Sequence, residues 1–207
     1  MKKTFACILI VCMLLVGCKN NTNISMSNEN VDYFAEKYVD EISLPLLDLH
    51  IDREFKADDR ILILDDNIEN ELEYMIFDMY LNQTEGAYHK IYNNMAGGSL
   101  LNAMKNEELS FNEGIYLSKI FIDDIDILDR DDLDDIVSKE HVIQTLKNFN
   151  AEEFAIVAVE KEIKHNEKSM SMGPQTGDGE VKRYYLLAKI DGVYKIAEVY
   201  WSDFLRD

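Results

Sequence analysis

The sequence predicts an α+β domain, with helices packed on one face of a curved antiparallel sheet and a β-meander at the C-terminal end. Three observations lead there. Through the first two thirds of the chain apolar residues recur at helical spacing, as in Ile68, Leu72, Met75, Ile76 and Met79. After Phe154 the pattern changes to β-rich runs. The last two runs are separated only by Asp191-Gly192, the dipeptide of a type I′ hairpin, whose two central residues must both take positive φ.

In chain order, helical spacing begins at Val31 and continues through Phe34, Tyr38 and Ile42, with Asn30 as cap and Pro45 as a stop. Residues 47–51 and 61–64 read as short strands. Asp66-x-x-Glu69 has the form of a capping box and opens the clearest helix. A second amphipathic stretch runs through Tyr88, Ile91, Tyr92 and Met95, breaks at Gly97-Gly98, and resumes with Leu100, Leu101 and Met104. Ser110-x-x-Glu113 reads as another capping box, leading into Ile115, Tyr116 and Ile120. Ile125 and Ile127 alternate with Asp124 and Asp126, the pattern of a half-buried strand running into an exposed acidic turn. An extra helical segment is expected near residues 138–149. The run from Phe154 to Ile163 is apolar on both faces in its first half and turns polar in its second. In the closing hairpin, residues 181–190 and 193–201, the turn sets Leu187 opposite Ile196, Leu186 opposite Ala197 and Tyr184 opposite Val199.

Composition sets the outer bounds. The chain has 207 residues, 40 acidic against 21 basic side chains, a net charge of −19 and 47 % hydrophobic residues. That much apolar content belongs to a folded globular chain, and the length fits one domain with a lead segment. The charge has the wrong sign for nucleic acid, whose phosphates are bound through Lys and Arg.

The lead segment reads as an address. Met1, Lys2 and Lys3 precede an unbroken apolar run from Phe5 to Val16, 12 residues long. A spanning helix needs about 20, so the run fits a secretory signal. Its end, Leu15-Val16-Gly17-Cys18, resembles the lipobox of bacterial lipoproteins. That resemblance implies a diacylglycerol thioether on Cys18, cleavage before it, and acylation of the new amino group. The expected organisation is a signal peptide at 1–17, the lipidated cysteine and a flexible tether at 18–30, and a single α+β domain at 31–207. The partner at this end is a membrane, the cell membrane or an outer membrane, with the domain facing away from the cytoplasm. Removal of residues 1–17 takes Lys2, Lys3, Cys7 and Cys12 and leaves 190 residues with a charge of −21. With Cys18 carrying lipid, no thiol remains for a disulfide, for thiol catalysis or for a cysteine metal site.

The element order and the hairpin sequence YYLLAKIDGVYKIAEVYW resemble the nuclear-transport-factor-2-like superfamily, also called cystatin-like, over residues 67–201. The resemblance implies a cone-shaped fold whose concave sheet often lines a ligand pocket. The aromatic set Tyr184, Tyr185, Tyr194, Tyr200 and Trp201 offers such a lining, or core and edge packing.

Other candidates come from residue spacing. Asp48, His50 and Asp52 alternate with Leu47, Leu49 and Ile51, which on a strand sets two carboxylates and an imidazole on one face. A water-facing edge strand accounts for the same pattern. Residues 123–135 hold eight aspartates in thirteen positions, with Asp129 and Asp131 in calcium-loop spacing. The EF-hand pattern then fails, since Asp134 stands where Gly is required, and a solvated acidic face explains the run. His165, Met170 and Met172 are soft donors in a polar loop region. Phosphate-loop, nucleophile-elbow and H-E-x-x-H motifs are missing, and no cofactor is expected. The reading that fits is a lipid-anchored, non-catalytic module that binds a protein or a small ligand. The alternative is a small-pocket hydrolase or isomerase with Asp48 or Glu198 as general base, assisted by His50.

Overall fold

A computed structural model describes residues 28–174, 176–202 and 205. The signal segment, the lipobox with Cys18, and the tether as far as residue 27 lie outside the described residues. None of the described helices is long and apolar enough to cross a membrane.

The C-terminal half supplies the sheet. β3 (Leu117–Ile127), β4 (Phe154–His165), β5 (Gly179–Ile190) and β6 (Val193–Tyr200) pair antiparallel one with the next, so β4-β5-β6 is the expected meander. β1 (Glu54–Ala57) and β2 (Arg60–Leu64) form a small hairpin at the other edge, and β2 lies parallel to β3. A parallel neighbour requires a crossover, and α2 (Glu71–Glu85), α3 (Tyr88–Asn93) and α4 (Gly98–Asn112) provide it. These three helices cover the sheet face that carries Val157, Val159, Lys161 and Ile163. On the opposite face α1 (Asn28–Lys37) packs at the start of β4, and α5 (Lys139–Asn148) lies against α1 and reaches the end of β6. There Phe34 and Tyr38 meet the Phe154 ring edge-on, each 5.2 Å between centroids, and Tyr38 donates to the Leu128 carbonyl at 2.5 Å. Full burial of a side chain such as Phe154 contributes roughly 2 kcal/mol.

Several local expectations change. The first helix begins at Asn28, taking in the last three residues of the expected tether, and ends at Lys37, before Ile42. Residues 47–51 form no strand; they run as a loop into β1, which the sequence pattern did not mark. The box that caps α2 is Asn70-x-x-Glu73. Asn70 Oδ1 accepts from the amides of Leu72 and Glu73, and Glu73 Oε2 accepts from the Glu69 amide at 2.7 Å. Asp66 instead accepts from Asn67 N and, across to β3, from Ile125 N. Ser110 sits inside α4, donating to Asn106 O, and the chain beyond Gly114 becomes β3 rather than a helix.

Asp191 and Gly192 take φ of 50° and 76°, as the type I′ turn demands, and Leu187 faces Ile196. Beyond that pair a bulge slips the register by one residue, so Leu186 faces Glu198 and Tyr184 faces Tyr200.

Candidate functional site

The side chains of β4 point alternately to the two faces, and Val157, Val159 and Ile163 make the helix-covered face apolar. Lys161 continues that face with an amine. Opposite it, α2 presents Tyr80 and, one turn on, Gln83, while α4 presents Glu107 and Ser110. Between them lies a cavity of about 350 Å³, whose lining includes Gln83, Glu107, Lys161, His165, Thr176 and Arg183. Pockets that take small organic ligands begin at about this size.

Lys161 is 8 % exposed. Its side-chain nitrogen donates to the Tyr80 hydroxyl, which shares a hydrogen bond with the Tyr185 hydroxyl, and the centre of the Tyr80 ring lies 4.1 Å from the nitrogen. Lys161 forms no ion pair with a carboxylate among the described residues. Burial lowers its pKa to about 7, Arg183 pushes the same way, and Glu107 opposes them. Desolvation raises the Glu107 carboxyl, against the hydrogen bond from Gln83, the charge of Lys161 and a contact with Tyr88. Burial also holds Tyr185 up at about 12. The Arg183 guanidinium stacks on Trp201, 3.6 Å from the ring centroid, and donates to the Lys182 carbonyl at 2.9 Å. The arrangement sets two cationic groups and one carboxyl around a small cavity in an acidic chain. Such a set can hold an organic anion and exchange a proton with it.

A wall beside this cavity is built by Arg60, which donates to Thr84 O at 2.7 Å and lies over the rings of Phe111 (4.7 Å) and Tyr116 (5.3 Å). At the rim His165 is fixed by Asp178, whose Oδ1 lies 2.8 Å from its amide and 3.0 Å from Nδ1.

The residues singled out by spacing lie elsewhere. Asp48, His50 and Asp52 are exposed in the loop before β1, so strand alternation does not gather them on one face. Asp129 caps a 3-10 turn, Arg130–Asp135, that contains Asp131, and both are exposed. Neither belongs to the acidic groups that converge among the described residues. Those are Glu41 with Glu73 and Asp126, and Asp66 with Asp124 and Asp126, each set having oxygens within 4.8 Å of one another. In the first, burial raises the pKa of Glu73 to about 7, and burial followed by neighbouring carboxylates raises Asp126 to about 6. Glu198 lies on the other sheet face, paired across from Leu186, with Ser99 Oγ 3.5 Å away. Met170 and Met172 are exposed, while His165 is engaged by Asp178.

The aromatic set divides. Tyr185 lies beneath the cavity floor beside Tyr80, Tyr184 and Tyr200 pair on the opposite face, Tyr194 donates to Glu153 at 2.8 Å, and Trp201 supports Arg183. Lys161, Glu107, Tyr80 and Arg183 were not marked by sequence reasoning. The one available signal was a lysine on the apolar side of an alternating strand. Comparison with protein-family models, curated proteins and solved structures finds no match to this chain.

Proposed function

We propose that the chain is a lipid-anchored, extracytoplasmic binding module whose ligand is a small organic anion held between α2, α4 and the sheet. The observation that carries this is the pairing of Lys161 and Arg183 in one cavity of about 350 Å³, in a chain of net charge −19. A buried lysine and a half-buried arginine that face one cavity without a carboxylate ion pair among the described residues favour an anion there. A general base drawn from Asp48, His50 or Glu198 would act outside this cavity, so the reading favours binding over that form of hydrolase or isomerase.

The lipid anchor rests on the lipobox at Leu15-Val16-Gly17-Cys18. Two or more acyl chains give stable membrane attachment where one gives marginal binding. Substituting Cys18→Ala should abolish lipid labelling and membrane retention; undiminished retention refutes the anchor.

The binding reading is tested by thermal shift of the detergent-solubilised chain against a panel of small carboxylates and phosphates at pH 7. One class should raise the melting temperature in a saturable manner. That shift should be lost in Lys161→Met and in Arg183→Met. A panel without a saturable shift, or shifts retained in both variants, refutes it.

A further inference from the structure

We propose that Lys161 is a carbonyl-reactive amine, and that the cavity captures a small oxo acid, a carbonyl compound bearing a carboxylate, as a Schiff base on its side-chain nitrogen. This rests on the reading of the cavity as an organic-anion site and names the ligand class and the bond.

The geometry supplies each part. Lys161 lines the cavity, and among the described residues its nitrogen has one hydrogen-bond partner, the Tyr80 hydroxyl. An ammonium has three donors and the fold meets one of them, so the rest of the nitrogen is turned to whatever fills the cavity. A neutral amine donating to Tyr80 keeps its lone pair for the cavity. Desolvation beside a second cation activates a lysine in this way, and Arg183 is that cation; the lowered pKa, about 7, agrees. The Arg183 guanidinium, braced by Trp201, is also the planar fork that a carboxylate prefers. Glu107 lines the same cavity, with its carboxyl raised by burial, and is the acid nearest to hand for the step.

The step balances without any other reagent. The Lys161 lone pair attacks the carbonyl carbon, and the π pair moves to the carbonyl oxygen. A proton passes from nitrogen to that oxygen, with the Tyr80 hydroxyl as relay, giving a neutral carbinolamine. Glu107 then protonates the hydroxyl group, the C–O bond breaks, water leaves, and the nitrogen lone pair forms the C=N bond. The products are an iminium on Lys161, one water molecule and a Glu107 carboxylate as counter-ion.

The test is reductive trapping on the full detergent-solubilised chain at pH 7. Pyruvate or glyoxylate is added with sodium cyanoborohydride, and adducts are located by peptide mass mapping. The expected result is saturable labelling of Lys161, exceeding that of any exposed lysine by on the order of tenfold or more, because exposed lysines are almost wholly protonated at this pH. Lys161→Met should abolish labelling at this position, and Glu107→Gln should slow the labelling of Lys161. Labelling spread over exposed lysines with Lys161 unmodified overturns the inference. If a small anion still raises the melting temperature in that case, the binding reading stands; if none does, both fall.

Discussion

Replacing Lys161 with Met should make the protein more stable at neutral pH, and by an amount that depends on pH. Lys161 is 8 % exposed, and its pKa falls from 10.5 in the open chain to about 7 in the fold. Below pH 7 the amine is protonated in both states, and folding bears the whole cost of burying the charge. Above 10.5 neither state holds the proton and that cost vanishes. Between these values the unfolded chain holds a proton that the folded chain lacks, so stability rises with pH by about 1.4 kcal/mol per pH unit, or about 5 kcal/mol across the window. Methionine is close in volume and carries no charge, so it should remove this dependence. The assay is urea denaturation of both proteins from pH 7 to about pH 9.5, short of the range where tyrosines of the unfolded chain ionise. The excess stability of Lys161→Met should shrink by about 3 kcal/mol over that interval. A difference between the two proteins that stays constant with pH would refute the assignment of Lys161 as a desolvated amine.

Other perturbations test the surroundings. Gly86 closes α2 at φ +76°, and a Cβ there would stand 2.6 Å from the Phe111 ring, so Gly86→Ala should cost about 2–3 kcal/mol by chemical denaturation. A loss under about 0.5 kcal/mol, the size of a neutral surface change, would contradict that packing. Asn70→Ala removes the acceptor of two first-turn amides and should cost about 1–2 kcal/mol, read by the same assay; an unchanged midpoint would rule out the cap. Glu73 titrates near 7 in the fold and at 4.5 in the open chain, so its burial costs nothing below 4.5 and its full amount above 7. The stability of Glu73→Gln relative to the parent should therefore rise by about 3 kcal/mol from pH 4.5 to pH 8, and a flat difference would sink that assignment.

The parts of the fold that were legible in the sequence are those fixed by local chemistry. Asp191-Gly192 announces its turn because few residues tolerate positive φ at both positions, and the apolar first half of β4 announces a strand covered on both faces. The register beyond Leu187 was not legible, since the bulge at the Leu186 step leaves no mark in residue type. Asp66-x-x-Glu69 and Asn70-x-x-Glu73 share one pattern, and what separates them is a tertiary contact: Asp66 is used by the Ile125 amide of β3. Residues 47–51 alternate like a strand but find no partner to pair with. At the site, Lys161 was visible in principle as a charge on an apolar face. Glu107 was not, because the stretch around it looks like any solvated helix surface until α2 and β4 close over it. Convergence from distant elements likewise hid the grouping of Glu41, Asp66 and Glu73 with Asp124 and Asp126.

The parallel pairing of β2 with β3 has a consequence for the order of assembly. The β4-β5-β6 meander joins neighbours in sequence through residues 166–178 and the two-residue turn at Asp191-Gly192, whereas β2 cannot lie beside β3 until the much longer segment carrying α2, α3 and α4 has been wound between them. The floor of the cavity, with Lys161 and Arg183, belongs to the early part; its walls, with Gln83 and Glu107, belong to the late one. During folding Lys161 therefore stands in water as an ordinary charged lysine, and it gives up its proton to solvent only as the crossover docks. The chemical character of the site is the last property the chain acquires, and local opening of the α2–α4 layer would be enough to take it away.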